Sequence, residues 1–167
     1  VEAGFDWSPA EAVTIRATLF DNRLTDAIAN VSLARGPGVF PGVGFVAAGG
    51  AYRQRQNLDA IRSRGVEVDA TIRIAPWFAN ASYAFADAKV KADGAALSLN
   101  GLRPAQVPKH LASATLAWRG LSATVRYVSG QFEDDQNVRR LKGAVTFDAS
   151  ARLPVGHGLT LFARGEN

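Results

Sequence analysis

Hydrophobic and polar residues alternate along most of this chain with a period of two, most regularly between Ser63 and Val90. The apolar positions in the first half of that stretch are Val66, Val68, Ala70, Ile72 and Ile74, and each is separated from the next by a polar residue. Such a period is typical of a β-strand with one apolar and one polar face. The pattern resumes directly after Pro76-Trp77, which predicts an antiparallel hairpin with a very short turn.

The same unit recurs along the chain and predicts an all-β fold of about eight antiparallel strands connected as a meander. One strand is expected to run from Tyr52 to Ala75, and its polar first half is expected to leave the apolar zone and continue into water. Alternate connections differ in length. Those at one end are short turns, whereas those at the other end are long, at about residues 36–52, 91–109 and 132–140. Outer-membrane barrels show this asymmetry, with short periplasmic turns and longer extracellular loops.

Alternation alone does not decide which face of the sheet points outwards. Three interpretations remain open. The chain could be a segment of a large transmembrane β-barrel, or a complete small eight-stranded outer-membrane barrel whose first and last strands pair. It could also be a soluble β-sheet binding module with its apolar faces packed inwards.

Three features favour a membrane barrel. Trp7, Trp77 and Trp118 lie beside short turns on the apolar side of their strands, which predicts an aromatic belt at a membrane interface. The apolar stripe Val66–Ile74 would rise about 23 Å when tilted, close to the ~25 Å apolar band of such barrels. Mid-strand arginines such as Arg73 lie on the polar faces, where they avoid the roughly 2–4 kcal/mol cost of facing lipid.

Composition narrows the candidate chemistry. The chain has no Cys, so it can form neither disulfides nor thiolate metal sites. It also has no Met, which predicts a processed chain or a piece of a longer one. The net charge is +4, but the arginines are spread over many strands, so we do not expect a nucleic-acid partner. His110 and His157 lie too far apart in the sequence to predict a shared metal site. The Ser, His and Asp residues form no pattern typical of a catalytic nucleophile, so we expect neither an enzyme nor a cofactor.

Ligand contact is expected at the end with the long connections. Phe40, Tyr52, Arg53 and Arg55 are the candidates there, because Arg and Tyr could hold an anionic chelate by charge and stacking. Ordinary strand extension above a membrane is the alternative interpretation of these residues. The segment Glu133–Asp135 could bind a cation through oxygen ligands, but it lacks the spacing of a calcium loop and is interpreted as a solvated acidic loop tip.

Arg62 and Arg64 share the apolar side of their strand and lie just above its apolar stripe. We hypothesise that they meet lipid phosphates at the outer membrane interface.

Four segments resemble motifs of TonB-dependent outer-membrane receptors, and they occur in the order found in that family. They are Asn57 with Arg62–Glu67 (Asn…Arg-x-x-Gly-x-Glu), Val107–His110 (Val-Pro-x-His), Phe132–Asn137 (Phe-x-Asp-Asp-x-Asn) and Leu161–Asn167, which resembles a penultimate strand. The resemblance covers essentially the whole chain.

The resemblance implies that residues 1–167 are a partial C-terminal β-barrel domain, without the plug domain and closing strand of a barrel of about 22 strands. It implies a bacterial outer-membrane location and active uptake of a scarce nutrient such as a ferric siderophore, rather than catalysis. The implied partners are outer-membrane lipid, the plug and remaining strands of the same receptor, TonB through that plug, and a small-molecule ligand such as a metal chelate.

Overall fold

The computed structural model describes all residues from Val1 to Asn167, and nearly all of them belong to β-strands or their connections. The elements are β1 (Glu2–Ala10), β2 (Val13–Arg35), β3 (Gly38–Phe40), β4 (Gly44–Val46), β5 (Ala51–Ile74), β6 (Trp77–Lys91), a 3-10 helix (Gly94–Leu99), β7 (His110–Trp118), β8 (Leu121–Val128), β9 (Gln131–Phe132), β10 (Arg140–Leu141), β11 (Ala144–Gly156) and β12 (Leu159–Glu166). The chain has no helix long and apolar enough to cross a membrane.

Eight of these strands form one antiparallel sheet in the order β1-β2-β5-β6-β7-β8-β11-β12, which confirms the predicted meander. The β3–β4 and β9–β10 pairs are small separate hairpins inside two of the long connections. The sheet is open, because β1 and β12 are its two edges and do not pair with each other. This arrangement differs from the closed eight-stranded barrel that was one of the alternatives.

The register aligns apolar residues with apolar residues across the sheet. One row of directly paired positions, called here the apolar row, is Trp7, Ile15, Ala70, Ala81, Ala114, Val125 and Phe147. The next position along each strand gives the polar row, which is Asp6, Arg16, Asp69, Ser82, Ser113, Arg126 and Thr146. Because paired residues lie on the same side of a sheet, each of these two rows keeps one character across seven strands.

Polar pairs connect neighbouring strands along the polar face. Arg16 forms an ion pair with Asp6 at 3.3 Å. Ser82 shares a hydrogen bond with Ser113, and Thr115 shares one with Thr124, both at 2.8 Å. The opposite face buries none of its large side chains; Ile72, for example, remains 40% exposed and Leu116 52% exposed. A soluble module with its apolar faces packed together is therefore not what the chain forms.

Gly65 lies at a point on β5 where the neighbouring strands leave no room for a side chain. A Cβ at this position would lie 1.9 Å from the carbonyl oxygen of Phe85 and 2.5 Å from the ring of Phe20. The ring of Phe20, on β2, covers the space that a side chain on β5 would occupy. This contact explains why the Arg-x-x-Gly-x-Glu motif requires a glycine here.

Candidate ligand-facing site at the long-loop end

The two ends of the sheet differ, as the sequence predicted. Turns at one end consist of two residues each, for example Ala75-Pro76 between β5 and β6. At the other end β2 and β5 extend well beyond the remaining strands, and three long connections fold around them. We call this the long-loop end; its connections are residues 36–50, 92–109 and 129–143.

A buried apolar cluster anchors the connection between β6 and β7. Val31 and Leu58, from the extended parts of β2 and β5, pack with Val90 of β6 and with Leu99 of the 3-10 helix. By strict alternation Val90 would lie on the opposite face from Val31 and Leu58. They meet because the strand pair is interrupted at Asp26, whose φ is +54° and which has no partner in the register. The long-loop end therefore has a small core of its own.

The acidic segment after β9 is docked onto β2. The backbone N–H and the hydroxyl of Ser32 both donate to the carboxylate of Asp135, at 2.7 and 2.8 Å. The side chain of Gln136 donates to the carbonyl of Ser32 at 3.0 Å and accepts from Arg35 at 3.0 Å. The interpretation of this segment as a solvated loop tip is therefore wrong for Asp134, which is buried, and for Asp135, whose carboxylate accepts from Ser32, 103 residues away in sequence.

Asp134 holds the shape of the same segment. Its side chain is only 1% exposed and accepts backbone N–H groups of Gln136, Val138 and Arg139 at 3.0, 3.2 and 2.5 Å. Arg35 approaches it at 3.4 Å. Burial alone raises the pKa of this carboxyl, but the three backbone donors and the charge of Arg35 outweigh burial, so its pKa lies below the ordinary value. Asp134 is thus a charged, fully bonded group inside the loop.

Asn137, the last residue of the Phe-x-Asp-Asp-x-Asn motif, joins the connection at residues 129–143 to the one at residues 92–109. The side chain of Asn137 donates to the carbonyl of Arg103 at 2.9 Å and accepts the N–H of Arg103 at 3.0 Å. The guanidinium of Arg103 lies 5.0 Å from the ring centre of Phe132 and donates to Gly130 at 3.3 Å. Its Nε is buried without a hydrogen-bond partner. Residues 132–137, called here the clamp segment, therefore contact both β2 and the β6–β7 connection.

A cavity of about 390 Å³ lies between these three parts of the chain. Its apolar wall comes from the buried cluster, including Leu58 and Leu99, and its polar wall includes Arg53, Arg103 and Asp135. Arg53 also donates to the hydroxyl of Ser32 at 3.3 Å. The cavity therefore combines an apolar surface with two guanidinium groups.

The structure brings some of the predicted ligand residues together and leaves others apart. Arg53 lines the cavity. The rings of Phe40 and Tyr52 pack against each other with 5.9 Å between their centres. Arg55 is exposed and forms no ion pair. Arg103 was missed by sequence reasoning; its only signal was the Phe-x-Asp-Asp-x-Asn motif, whose Asn137 binds it.

The three tryptophans lie at the short-turn end on the apolar face. Trp77 and Trp118 are paired across β6 and β7, with ring centres 5.9 Å apart, and Trp7 lies separately on the edge strand β1. A second set of rings near the opposite end of that face was not predicted. It consists of Tyr83, Phe85, His110 and Tyr127. Within this set, the Tyr83 hydroxyl forms a hydrogen bond of 2.8 Å with Nδ1 of His110.

Comparison with known proteins agrees with the geometry. The family profile described as "TonB dependent receptor-like, beta-barrel" matches residues 1–167. No curated protein sequence matches the chain.

Among solved structures, the fold is similar to FyuA, the ferric yersiniabactin uptake receptor of Yersinia pestis, at 18% identity and a TM-score of 0.75 over 99% of this chain and 24% of that one. It is also similar to the siderophore receptor PiuA of Acinetobacter baumannii, at 17% identity and a TM-score of 0.70 over 98% and 23% of the two chains. The copper transporter OprC matches at 18% identity and a TM-score of 0.70, over 99% and 24%.

The chain thus spans about a quarter of the length of these solved structures. Its sheet has their fold and has two free edges, as a part of a larger barrel must. Since the family profile covers every residue, this chain belongs to the TonB-dependent receptor β-barrel family and is a segment of such a barrel.

Proposed function

We propose that this chain is a C-terminal segment of an outer-membrane receptor that imports a scarce nutrient such as a ferric siderophore. The observation that carries the proposal is the pair of rows across seven strands, one wholly apolar and the other wholly polar. The apolar face contacts lipid and the polar face lines the lumen. Trp7, Trp77 and Trp118 then form the belt at the periplasmic interface.

The remaining partners follow from the same assignment. The free edges of β1 and β12 pair with further strands of the same receptor, because unpaired edges expose backbone hydrogen-bonding groups. Asp69 and Arg126, on the polar face, are positioned to meet a plug inside the lumen. TonB contacts that plug, and the chain itself acts in transport and not in catalysis.

The orientation can be tested with two adjacent substitutions in the full-length receptor. Ala81→Arg places a charge in the apolar row, whereas Ser82→Arg places the same charge in the polar row. An Arg facing lipid near the midplane costs about 2–4 kcal/mol, so Ala81→Arg should lower the folded fraction recovered from outer membranes while Ser82→Arg is tolerated. The reverse order would show that the polar face contacts lipid.

The ligand reaches the receptor at the long-loop end. There Arg53 and Arg103 offer charge-assisted donors, and the Arg103 Nε lacks a partner within the chain. The paired rings of Phe40 and Tyr52 lie at the same end but outside the lining of that cavity, and Arg55 is an exposed cation of the same strand as Tyr52. Such a surface suits a bulky anionic metal chelate, which Arg binds through oxygen pairs and aromatic rings bind by stacking.

Binding and uptake of metal chelates test this assignment. Cells carrying the full-length receptor as their only receptor of this family would be offered radioactive iron as ferric yersiniabactin, and copper separately. We expect one of these cargoes to be bound at low temperature and imported only when TonB is functional. Arg53→Ala should weaken binding roughly 10- to 100-fold, the range for lost hydrogen bonds between charged groups.

Lys142→Ala is the matched control, since Lys142 is an exposed cation of the same end that forms no ion pair. Import of every cargo without TonB would contradict the proposed transport role. Equal binding by Arg53→Ala and Lys142→Ala would instead contradict only the proposed ligand surface.

A further inference from the structure

A patch of charged residues lies on the apolar face, between the second set of rings (Tyr83, Phe85, His110 and Tyr127) and the long-loop end. Two successive rows of paired positions form it across β2, β5 and β6. The lower row is Asp21, Arg64 and Asp87, and the upper row is Arg23, Arg62 and Lys89. Lys109, which precedes β7, joins the patch through Asp87 at 2.9 Å. These seven residues are called here the interface patch.

The interface patch has more positive than negative charges, so some of its cations have no carboxylate partner. Arg62 binds both oxygens of Asp21, at 2.9 and 2.6 Å, and Arg64 shares the second of these oxygens at 3.0 Å. Arg23 forms no ion pair at all, and Lys89 lies 4.0 Å from its nearest carboxylate. Five cations therefore share two carboxylates, and the entire upper row is basic.

The position of the patch identifies its surroundings. Phe85 precedes Asp87 on the same side of β6, and Phe85 is paired with Val66 and His110 on the neighbouring strands. Aromatic rings of this kind mark the boundary between hydrocarbon and headgroups. Along β6, the basic upper row lies four residues beyond Phe85 on the side away from the apolar row, which corresponds to about 13 Å along a strand. It therefore faces the headgroup layer and not the lumen.

We propose that the interface patch binds the phosphate groups of a phosphorylated glycolipid in the outer leaflet, with Arg23, Arg62 and Lys89 as the main donors. Asp21 holds the guanidinium of Arg62 in a fixed orientation, which leaves its remaining N–H groups available to phosphate oxygens. Guanidinium groups bind phosphate through paired hydrogen bonds, and lysine adds a point charge. Basic residues near a membrane surface attract anionic headgroups in this way. The inference rests on the proposed orientation of the sheet.

The test uses the full-length receptor in detergent and diphosphoryl lipid A as the probe, with dephosphorylated lipid A for comparison. The variant Arg23→Gln/Lys89→Gln removes two charges that take part in no close ion pair. The control Arg140→Gln/Lys142→Gln removes two charges from the exposed β8–β11 connection at the same end. We expect the patch variant to bind diphosphoryl lipid A at least 10-fold more weakly, and the control to bind as the unmodified receptor does.

Inorganic phosphate distinguishes a lipid headgroup from a free anion. Displacement of the lipid by millimolar phosphate would show a site for the free anion and would overturn the proposal. Equal binding of dephosphorylated lipid A, or equal binding by the patch variant, would also overturn it. The Ala81→Arg and Ser82→Arg pair tests the orientation separately: if Ser82→Arg is tolerated and Ala81→Arg is not, these results overturn the lipid site alone, whereas the reverse order would refute both.

Discussion

The buried carboxylate of Asp134 offers the sharpest test of how the long-loop end is held together. Its Oδ1 accepts the N–H groups of Gln136 and Val138, and its Oδ2 accepts that of Arg139. Asp134→Asn keeps the size of the side chain but replaces one of these oxygens with an NH₂ group, which cannot accept. At least one buried backbone donor then loses its partner, and two donors face each other.

The expected cost follows from the bonds that are lost. A hydrogen bond to a charged group contributes about 1.5–3 kcal/mol, and an unsatisfied buried donor costs a similar amount. We therefore expect local opening of the clamp segment to become easier by about 3 kcal/mol, which corresponds to a roughly 100-fold change in the opening equilibrium. The barrel strands themselves, such as β6 and β7, should be unaffected because none of these bonds reaches them.

Amide hydrogen exchange of the full-length receptor in detergent measures this opening. Peptides covering residues 131–141 should exchange roughly 100-fold faster in Asp134→Asn, whereas peptides from β6 and β7 should not change. Glu133→Gln is the control, because Glu133 is exposed and its pair with Arg139 at 3.1 Å lies on the surface. Loss of such a pair costs at most about 1 kcal/mol, or roughly fivefold in exchange. If Asp134→Asn exchanges no faster than Glu133→Gln, the buried carboxylate does not hold the segment.

Acid should release the clamp segment as well: because the pKa of docked Asp134 lies below its ordinary value of 3.8, docking is stable above that pH and weakens as the pH falls below it. A spin label on the exposed Val138→Cys position should stay immobilised from neutral pH to about 4 and become mobile only as the pH falls further, while a label that becomes mobile already above pH ~5 would contradict the assignment. Gly65→Ala should lower the folded yield of the receptor, because its Cβ would overlap the carbonyl oxygen of Phe85, and overpacking of this kind costs about 1–3 kcal/mol. Gly165→Ala is its control, since no atom lies within 4 Å of a Cβ at that position, and equal yields of the two variants would argue against the steric explanation.

The sheet could be predicted from sequence because every strand lies in the same environment. Where the strands pair, apolar and polar positions alternate in the same phase on each of them, from Trp7 on β1 to Phe147 on β11. Short turns such as Arg119-Gly120 then determine which strands are neighbours, and the register follows. Even the long strand predicted from Tyr52 to Ala75 was observed within one residue, as Ala51–Ile74.

The long-loop end could not be predicted in the same way, because its contacts join residues far apart in the sequence. Asp135 and Ser32 are separated by 103 positions, and no local pattern links them. Asp135 has a partner for its carboxylate only because β2 continues far enough for Ser32 to reach it. The change of face at Asp26 was missed for a related reason: a positive φ inside a regular strand leaves no periodic signal.

The interface patch falls between these two cases. Arg62 and Arg64 were identified from one strand alone, because their parity places them on the apolar side. Recognition of Arg23 and Lys89 required the register, which pairs both with Arg62. A charge cluster that spans three strands is therefore visible only after the strands have been aligned.

The clamp segment also limits how the long-loop end can respond to a ligand. Asp135 and Gln136 fasten it to β2, and Asn137 fastens it to the backbone at Arg103. A ligand that displaces either long connection must therefore break these bonds or move both connections together. Because Arg103 and Asp135 also line the cavity, a ligand that engages Arg103 acts directly on the group held by the clamp. The clamp segment, residues 132–137, is thus the part of the chain that would transmit binding in the cavity to β2.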